Sequence, residues 1–268
     1  MSATDRCSLC PRLCRTACPV ATGAAREAAV PAQIASVVRA WQQGRLPEDV
    51  VREAITACVD CGACQELCHL HVPLPEALSA LRRQLGTAPA PEPLQPPADG
   101  DVLLVVTPGE EALGEAYRAA VEAEVGMPVG LWRAPACLGE GSLEHPDIDA
   151  HLTAVREAAA GRRVVTAHGG VAAVLRAAAV DVVPLWELVG TDAPRPCGGP
   201  GAPMACCGGR RPFVDQHPDD ARRMGAYWMR REGPTEGLDA RCAAHLRACG
   251  ATAGSVAEAW LREAARDD

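Results

Sequence analysis

The chain has 268 residues, a formal net charge of −8 and 14 cysteines. Its length suits one large domain or two modest ones, and its negative charge excludes a nucleic-acid surface, which needs a basic face. The start, Met1 to Cys7, lacks the apolar core of a signal peptide. The cysteines are therefore expected to hold metal or do chemistry in a reducing cytoplasm, not to form disulfides.

Two cysteine runs frame the first part of the chain. Cys7-x2-Cys10-x3-Cys14-x3-Cys18-Pro19 comes first, and Cys58-x2-Cys61-x2-Cys64-x3-Cys68 follows. Between them Ile34, Val37, Val38 and Trp41 have helical spacing, Gly44 and Pro47 punctuate it, and Glu48 to Ala57 reads as a second short helix. A third helix is expected over Pro75 to Leu85, with Leu74, Leu78, Leu81 and Leu85 on one face. Pro89, Pro91, Pro93, Pro96 and Pro97 then mark residues 88–100 as a semi-extended linker.

From Asp101 the pattern becomes α/β. Strands are expected at 102–106, 127–133 and 163–166, alternating with helices at 112–125, 148–160 and 171–179, which suggests a parallel, layered sheet. Past Gly190 lies a Gly/Pro/Cys-rich segment, followed by helices near 218–231, 241–249 and 254–266. No apolar run approaches the roughly 18–20 residues that span a membrane. With only eight aromatic residues, the cores are expected to be built from Ala, Val and Leu.

The spacing of the first eight cysteines carries the clearest chemistry. Three closely spaced thiolates on one loop reach three irons of a cubane, and the displaced fourth ligates the neighbouring cluster. Cluster one is thus assigned Cys7, Cys10, Cys14 and Cys68, and cluster two Cys58, Cys61, Cys64 and Cys18. The rival reading is a pair of zinc sites, which would favour two CxxC knuckles separated by a loop. Two details depart from the common ferredoxin pattern: an extra residue before Cys14, and His69 where proline often stands. The 39 residues between Cys18 and Cys58 are too many for a compact ferredoxin hairpin. Together these features resemble the α-helical ferredoxin domain of succinate dehydrogenase-type iron–sulfur subunits, over roughly residues 5–85.

A second cysteine group reads Cys197…Cys206-Cys207-Gly208…Cys242-x2-His245, with Cys249 seven residues after Cys242. Adjacent cysteines serve one polynuclear cluster where glycine lets the backbone bend around it. This group resembles the second repeat of the cysteine-rich CCG family. That family includes heterodisulfide reductase catalytic subunits, the iron–sulfur subunits of glycolate oxidase and of anaerobic glycerol-3-phosphate dehydrogenase, and the lactate-utilisation iron–sulfur protein. Here the last cysteine of the repeat is replaced by His245, and the first gap is shortened. The first repeat stands without its ligands: Ala136-Cys137-Leu138-Gly139 and Thr166-Ala-His168 occupy the corresponding places. Cys137 is then expected to be a buried structural thiol, and His145, His151, His168 and His217 surface or capping residues. A vestigial site without a cluster is the bland alternative.

The resemblance implies an α+β protein: an α-helical ferredoxin domain over 1–87, the linker 88–100, and a CCG-type α/β domain over 101–268. That last domain would comprise a degenerate repeat at 101–190 and a cysteine-bearing repeat at 191–268. It implies two [4Fe-4S] clusters, with a third iron–sulfur cluster held by Cys197, Cys206, Cys207 and Cys242 and touched by His245. The implied role is an electron-transfer subunit that takes electrons from a flavoprotein dehydrogenase, of 2-hydroxy acid or glycerol-3-phosphate type, toward a membrane quinone-reducing partner or another carrier. No GxGxxG follows the strand at 102–106, and no phosphate loop or nucleophile–base motif is visible. The alternatives are a heterodisulfide reductase-like catalyst acting at the CCG site, and a redox sensor or scaffold. The expected location is cytoplasmic, or peripheral on the inner face of the membrane through a partner.

Overall fold

The computed structural model describes residues 2–10, 13–107, 110, 113–134, 138, 143–188, 213–232, 240–250, 254–255, 258 and 260–262. Cys137, Cys197, Cys206, Cys207, Gly208 and most of the expected helix at 254–266 lie outside these residues.

The N-terminal part is helical. It contains α1 (Ala3–Ser8), α2 (Pro19–Gly23), α3 (Pro31–Gln42), α4 (Glu48–Thr56), α5 (Ala63–Glu66) and α6 (Leu74–Leu85). Proline in the first turn starts α2, α3 and α6, where its missing N–H is no loss. Ser2 and Asp5 form a reciprocal capping box on α1. Gly86, at φ 62°, closes α6 in the left-handed conformation. The apolar stripes of α3, α4 and α6 meet in one core of Ile34, Val38, Val51, Ile55, Leu78 and Leu81.

The second part is built on a parallel sheet of β1 (Val102–Val106), β2 (Val129–Arg133), β3 (Arg163–Thr166) and β4 (Val182–Pro184), in the order β2-β1-β3-β4. Val102 pairs with Val129 on one side and Arg163 on the other, and Val164 pairs with Val182. Every residue of β1 is buried, as expected for a central parallel strand covered on both faces. Its side chains divide with the period of two: Leu103 and Val105 enter one core, Val102, Leu104 and Val106 the other. The helices α8 (Ile148–Ala159) and α9 (Gly169–Ala177) cover the first face. The helix α7 (Gly114–Val125) covers the second, joined by Trp260 and Leu261. Trp260 meets Tyr117 edge-on, with ring centroids 6.2 Å apart. The fold is thus α+β, with a helical N-terminal part and a layered α/β part.

Several details differ from expectation. The strand β4 was not foreseen; three residues give too short an apolar run to stand out. The cores are built mainly from Ala, Val and Leu as expected, although Trp132, Tyr117 and Phe213 are the largest fully buried side chains. Residues 88–100 form no helix or strand but are held down: Ala98 N–H donates to the Leu131 carbonyl at 2.9 Å, and Trp132 Nε1–H to the Gln95 carbonyl at 2.9 Å. They approach β2 so closely that a Cβ on Gly130 would stand 2.6 Å from the Ala98 carbonyl oxygen. Glycine is the residue that permits this contact. His168 caps α9, its Nδ1 accepting from Gly170 and Val171 N–H, but it is fully buried. His151 is buried as well, donating from Nε2 to the Leu138 carbonyl.

After a short α10 (Leu185–Leu188), the described chain resumes with α11 (Phe213–Gln216), α12 (Pro218–Glu232) and α13 (Ala240–Ala248). These helices return to the N-terminal part. Phe213, Ala221 and Met224 pack on Val20, Ala24, Ala29 and Val59. Arg26 donates to Asp220 at 2.7 Å and to Nδ1 of His217 at 3.1 Å, while the other ring nitrogen of His217 lies 3.1 Å from the Thr56 hydroxyl.

This junction should weaken on acidification. Burial and the Arg26 charge hold His217 below its ordinary 6.5. Asp220 lies below its ordinary 3.8 because Arg223 and Arg26 outweigh the effect of its burial. The unfolded chain therefore binds the His217 proton first, so stability present above pH 6.5 is lost as pH falls toward the folded-state value. The Asp220 contribution is lost further down, as pH falls below 3.8. The melting temperature is expected to fall between about pH 7 and 5, and His217→Gln should flatten that slope. An unchanged slope in the variant would remove His217 from the account.

Candidate metal centre

The two cysteine runs are shaped by local turns. Cys7 lies in the last turn of α1, Cys10 N–H bonds back to the Cys7 carbonyl, and Cys14 sits in a 3-10 turn over Leu13–Thr16. Cys18 caps α2 with its backbone. In the second run, Asp60 and Gly62 adopt left-handed φ values of 50° and 76°, folding the chain sharply between Cys58 and Cys64. Gly62 does so without strain; a Cβ there would cost about 1 kcal/mol. Cys64 lies in α5, and Cys68 N–H bonds to the Gln65 carbonyl.

These turns bring the eight cysteines around two adjoining cavities. The larger, about 700 Å³ including its open mouth, is lined by Cys7, Cys10, Cys14 and Cys68. The smaller, about 410 Å³, is lined by Cys18, Cys58 and Cys61. Cys64, Pro31 and Leu74 border both. The rest of each wall is mainly apolar, with Val72 and Leu70 in the first and Val20, Ile34 and Leu78 in the second. His69, at the position that departs from the ferredoxin pattern, lines the larger cavity and is exposed. Among the described residues none of the ten cysteines is in a disulfide.

Burial governs the protonation of these thiols. Burial, and then Cys14, Cys10 and Cys68, push the Cys7 thiol up to about 12. Cys18 is pushed up to about 11, chiefly by burial. Cys14, Cys58 and Cys64 are raised too, again by burial first. Alone, these thiols would stay protonated at neutral pH. Metal ligation requires thiolates, so loading would release protons and be favoured by higher pH. A single zinc ion would draw four sulfurs to about 2.3 Å from one point. Among the described residues, no three Cys, His, Asp or Glu side chains are grouped to hold one metal ion. Sulfurs spread around a cavity suit a polynuclear cluster, which takes each thiolate on a different iron.

Residues 3–72 match the 4Fe-4S dicluster domain family. The cysteine-rich N-terminal part is accordingly an iron–sulfur, ferredoxin-like domain with the chemistry of electron transfer. No curated protein and no solved structure gives a match to the chain. The match to the dicluster domain ends at Val72, before α6, although Leu74 and Leu78 of α6 wall the cavities.

A charged group behind the smaller cavity was not foreseen from the sequence. Arg82 on α6 is 2% exposed; its Nη1 donates to the Ile55 carbonyl at 2.9 Å. Its Nε and Nη2 grip Glu144 at 2.5 and 2.6 Å, and Nη2 also pairs with Asp60. Asp60 N–H in turn donates to the Cys58 sulfur at 3.5 Å. Burial opposes the charge on Arg82, but Glu144 and Asp60 hold the guanidinium firmly protonated. A clue was available: Arg82 follows Leu78 by four residues and precedes Leu85 by three, so it lies on the apolar stripe of α6.

The second cysteine group is only partly within the described residues. Cys242 and His245 lie on α13, and Cys249 directly follows it; Cys242 and Cys249 are partly buried. His245 Nε2 donates to the Ala221 carbonyl at 3.1 Å, and the Cys249 sulfur lies 3.8 Å from that nitrogen. Among the described residues, no helix is long and apolar enough to cross a membrane.

Proposed function

We propose that the chain is an iron–sulfur electron-transfer subunit, with cluster one on Cys7, Cys10, Cys14 and Cys68 and cluster two on Cys58, Cys61, Cys64 and Cys18. The observation that carries this reading is the pair of adjoining cysteine-lined cavities with a common border at Cys64, inside a segment matching a 4Fe-4S dicluster domain. Such clusters accept and release single electrons when bound. The chain's own residues fix the sulfurs at the turns, exclude water with Ile34, Leu74 and Leu78, and keep the two sites adjacent. The donor is proposed to be a flavoprotein dehydrogenase of 2-hydroxy acid or glycerol-3-phosphate type, and the acceptor quinone or another carrier. Both rest on the resemblance of the second cysteine group to the CCG family.

A third cluster on Cys197, Cys206, Cys207 and Cys242 belongs to the same proposal. Support comes from His245, whose Nε2–H is committed to a backbone carbonyl, the arrangement that orients a ligating imidazole. Any ligation by His245 then runs through Nδ1.

Protein purified without oxygen is expected to hold about eight irons per chain with two clusters filled, and about ten to twelve with the third. It should show reversible one-electron reduction and co-purify with a flavoprotein. Stoichiometric zinc with little iron would overturn the proposal. Disulfide reduction by the isolated chain, with only an artificial reductant supplied, would replace it with the disulfide reductase reading.

A further inference from the structure

The three charges behind the smaller cavity come from different parts of the chain. Asp60 belongs to the cysteine loop, Arg82 to α6, and Glu144 to the segment preceding α8 in the α/β part. The same segment is also held by Arg83, which donates to the Leu143 carbonyl at 3.1 Å. Stability alone is a poor account of the triad, because desolvating buried ion pairs offsets much of their attraction, and apolar residues of similar volume often serve as well. Its position suggests another role. Asp60 contacts the Cys58 sulfur directly, and Arg82 grips Asp60, so the net charge of the triad is felt at that sulfur through little water. Cluster potentials respond to net charge, to hydrogen bonds on sulfur and to exposure.

We infer that Arg82 and Glu144 set the reduction potential of the cluster at Cys18, Cys58, Cys61 and Cys64, so that seating of the α/β part on the ferredoxin-like part is registered at that cluster. The inference rests on the cluster-two assignment above. With Glu144 in place the three groups sum to one negative charge, which disfavours the added electron and holds the potential down. Without Glu144, Arg82 and Asp60 form a neutral pair and the potential rises. Arg82 acts through Asp60 and the Cys58 sulfur, as a positioning residue.

The test is an EPR-monitored redox titration of the full chain purified anaerobically, with dithionite as reductant. Glu144→Gln keeps the shape and removes the charge; it should raise the midpoint of one cluster and leave the other unmoved. Arg82→Lys keeps the charge and should stay near the parent value, whereas loss of a merely structural contact would not separate these two variants by potential. Asp60→Asn changes the same net charge from inside the loop and should move the same cluster upward; it decides the matter where Glu144→Gln fails to keep its iron. Full iron with both midpoints unchanged, or both shifted equally, would overturn the inference alone. A parent chain without iron would sink the cluster assignment and the inference with it.

Discussion

Replacing Cys58 with serine should cut bound iron from about eight to about four per chain, while one of the two cluster EPR signals survives unchanged. An alkoxide or hydroxyl holds cluster iron less well than the soft thiolate it replaces. Cys58 lines only the smaller of the two cavities, and its sulfur takes a hydrogen bond from Asp60 N–H at 3.5 Å. The larger cavity, walled by Cys7, Cys10, Cys14 and Cys68, does not include it. Cys64 gives the contrasting case. It borders both cavities, so Cys64→Ser should remove the second cluster and also perturb the signal of the first. Iron analysis paired with EPR distinguishes the two variants. A Cys58→Ser protein that keeps all its iron and both signals would strike Cys58 from the ligand set.

The parts of this molecule that were legible in the sequence are those whose cause is local. The two cysteine runs announce a dicluster domain by their spacing alone, and residues 3–72 match that family. Val102 to Val106 was readable as a buried strand because a central parallel strand must be apolar on both faces. The apolar stripe of α6 was equally plain. What was not legible depends on partners far away in the chain. Nothing near Arg82 indicates that Glu144, 62 residues later, will neutralise it. Nothing near Arg26 announces Asp220, 194 residues on, or that α12 will wall the ferredoxin-like part. The proline-rich stretch was readable as a break between helix and strand, but its hydrogen bonds to β2 depend on a glycine, Gly130, that carries no signal by itself. Composition was a fair guide as well: the buried core is mostly Ala, Val and Leu, with Trp132, Tyr117 and Phe213 as its few large aromatic members. The adjacent cysteines Cys206 and Cys207 lie outside the described residues, so that group remains a reading of spacing and resemblance.

The seating of α12 leads to the other large expected effect. A Cβ added at Gly225 would stand 2.6 Å from the Cys249 sulfur, closer than packed atoms approach, and 3.1 Å from His245 Nε2, tighter than most such contacts. Gly225→Val should therefore drive α12 and α13 apart, at the roughly 1–3 kcal/mol typical of overpacking. For a chain of this size that is a fall in melting temperature of at least about 2–4 °C. The displacement would be felt at the metal centre. Phe213, Ala221 and Met224 back Val20, Ala29 and Val59, which line the smaller cavity, and Cys18 and Cys61 lie against the same cluster of side chains. Opening that wall admits water and oxygen to Cys18 and Cys61, so Gly225→Val should lose iron from about eight toward about four on exposure to air, faster than the parent chain. Adding Cys249→Ala removes the nearest obstructing atom and should recover part of both losses, a coupling that a double-mutant cycle reads directly. Equal air sensitivity in the parent chain and in Gly225→Val, despite a lowered melting temperature, would mean that α12 supports the fold without guarding the cluster.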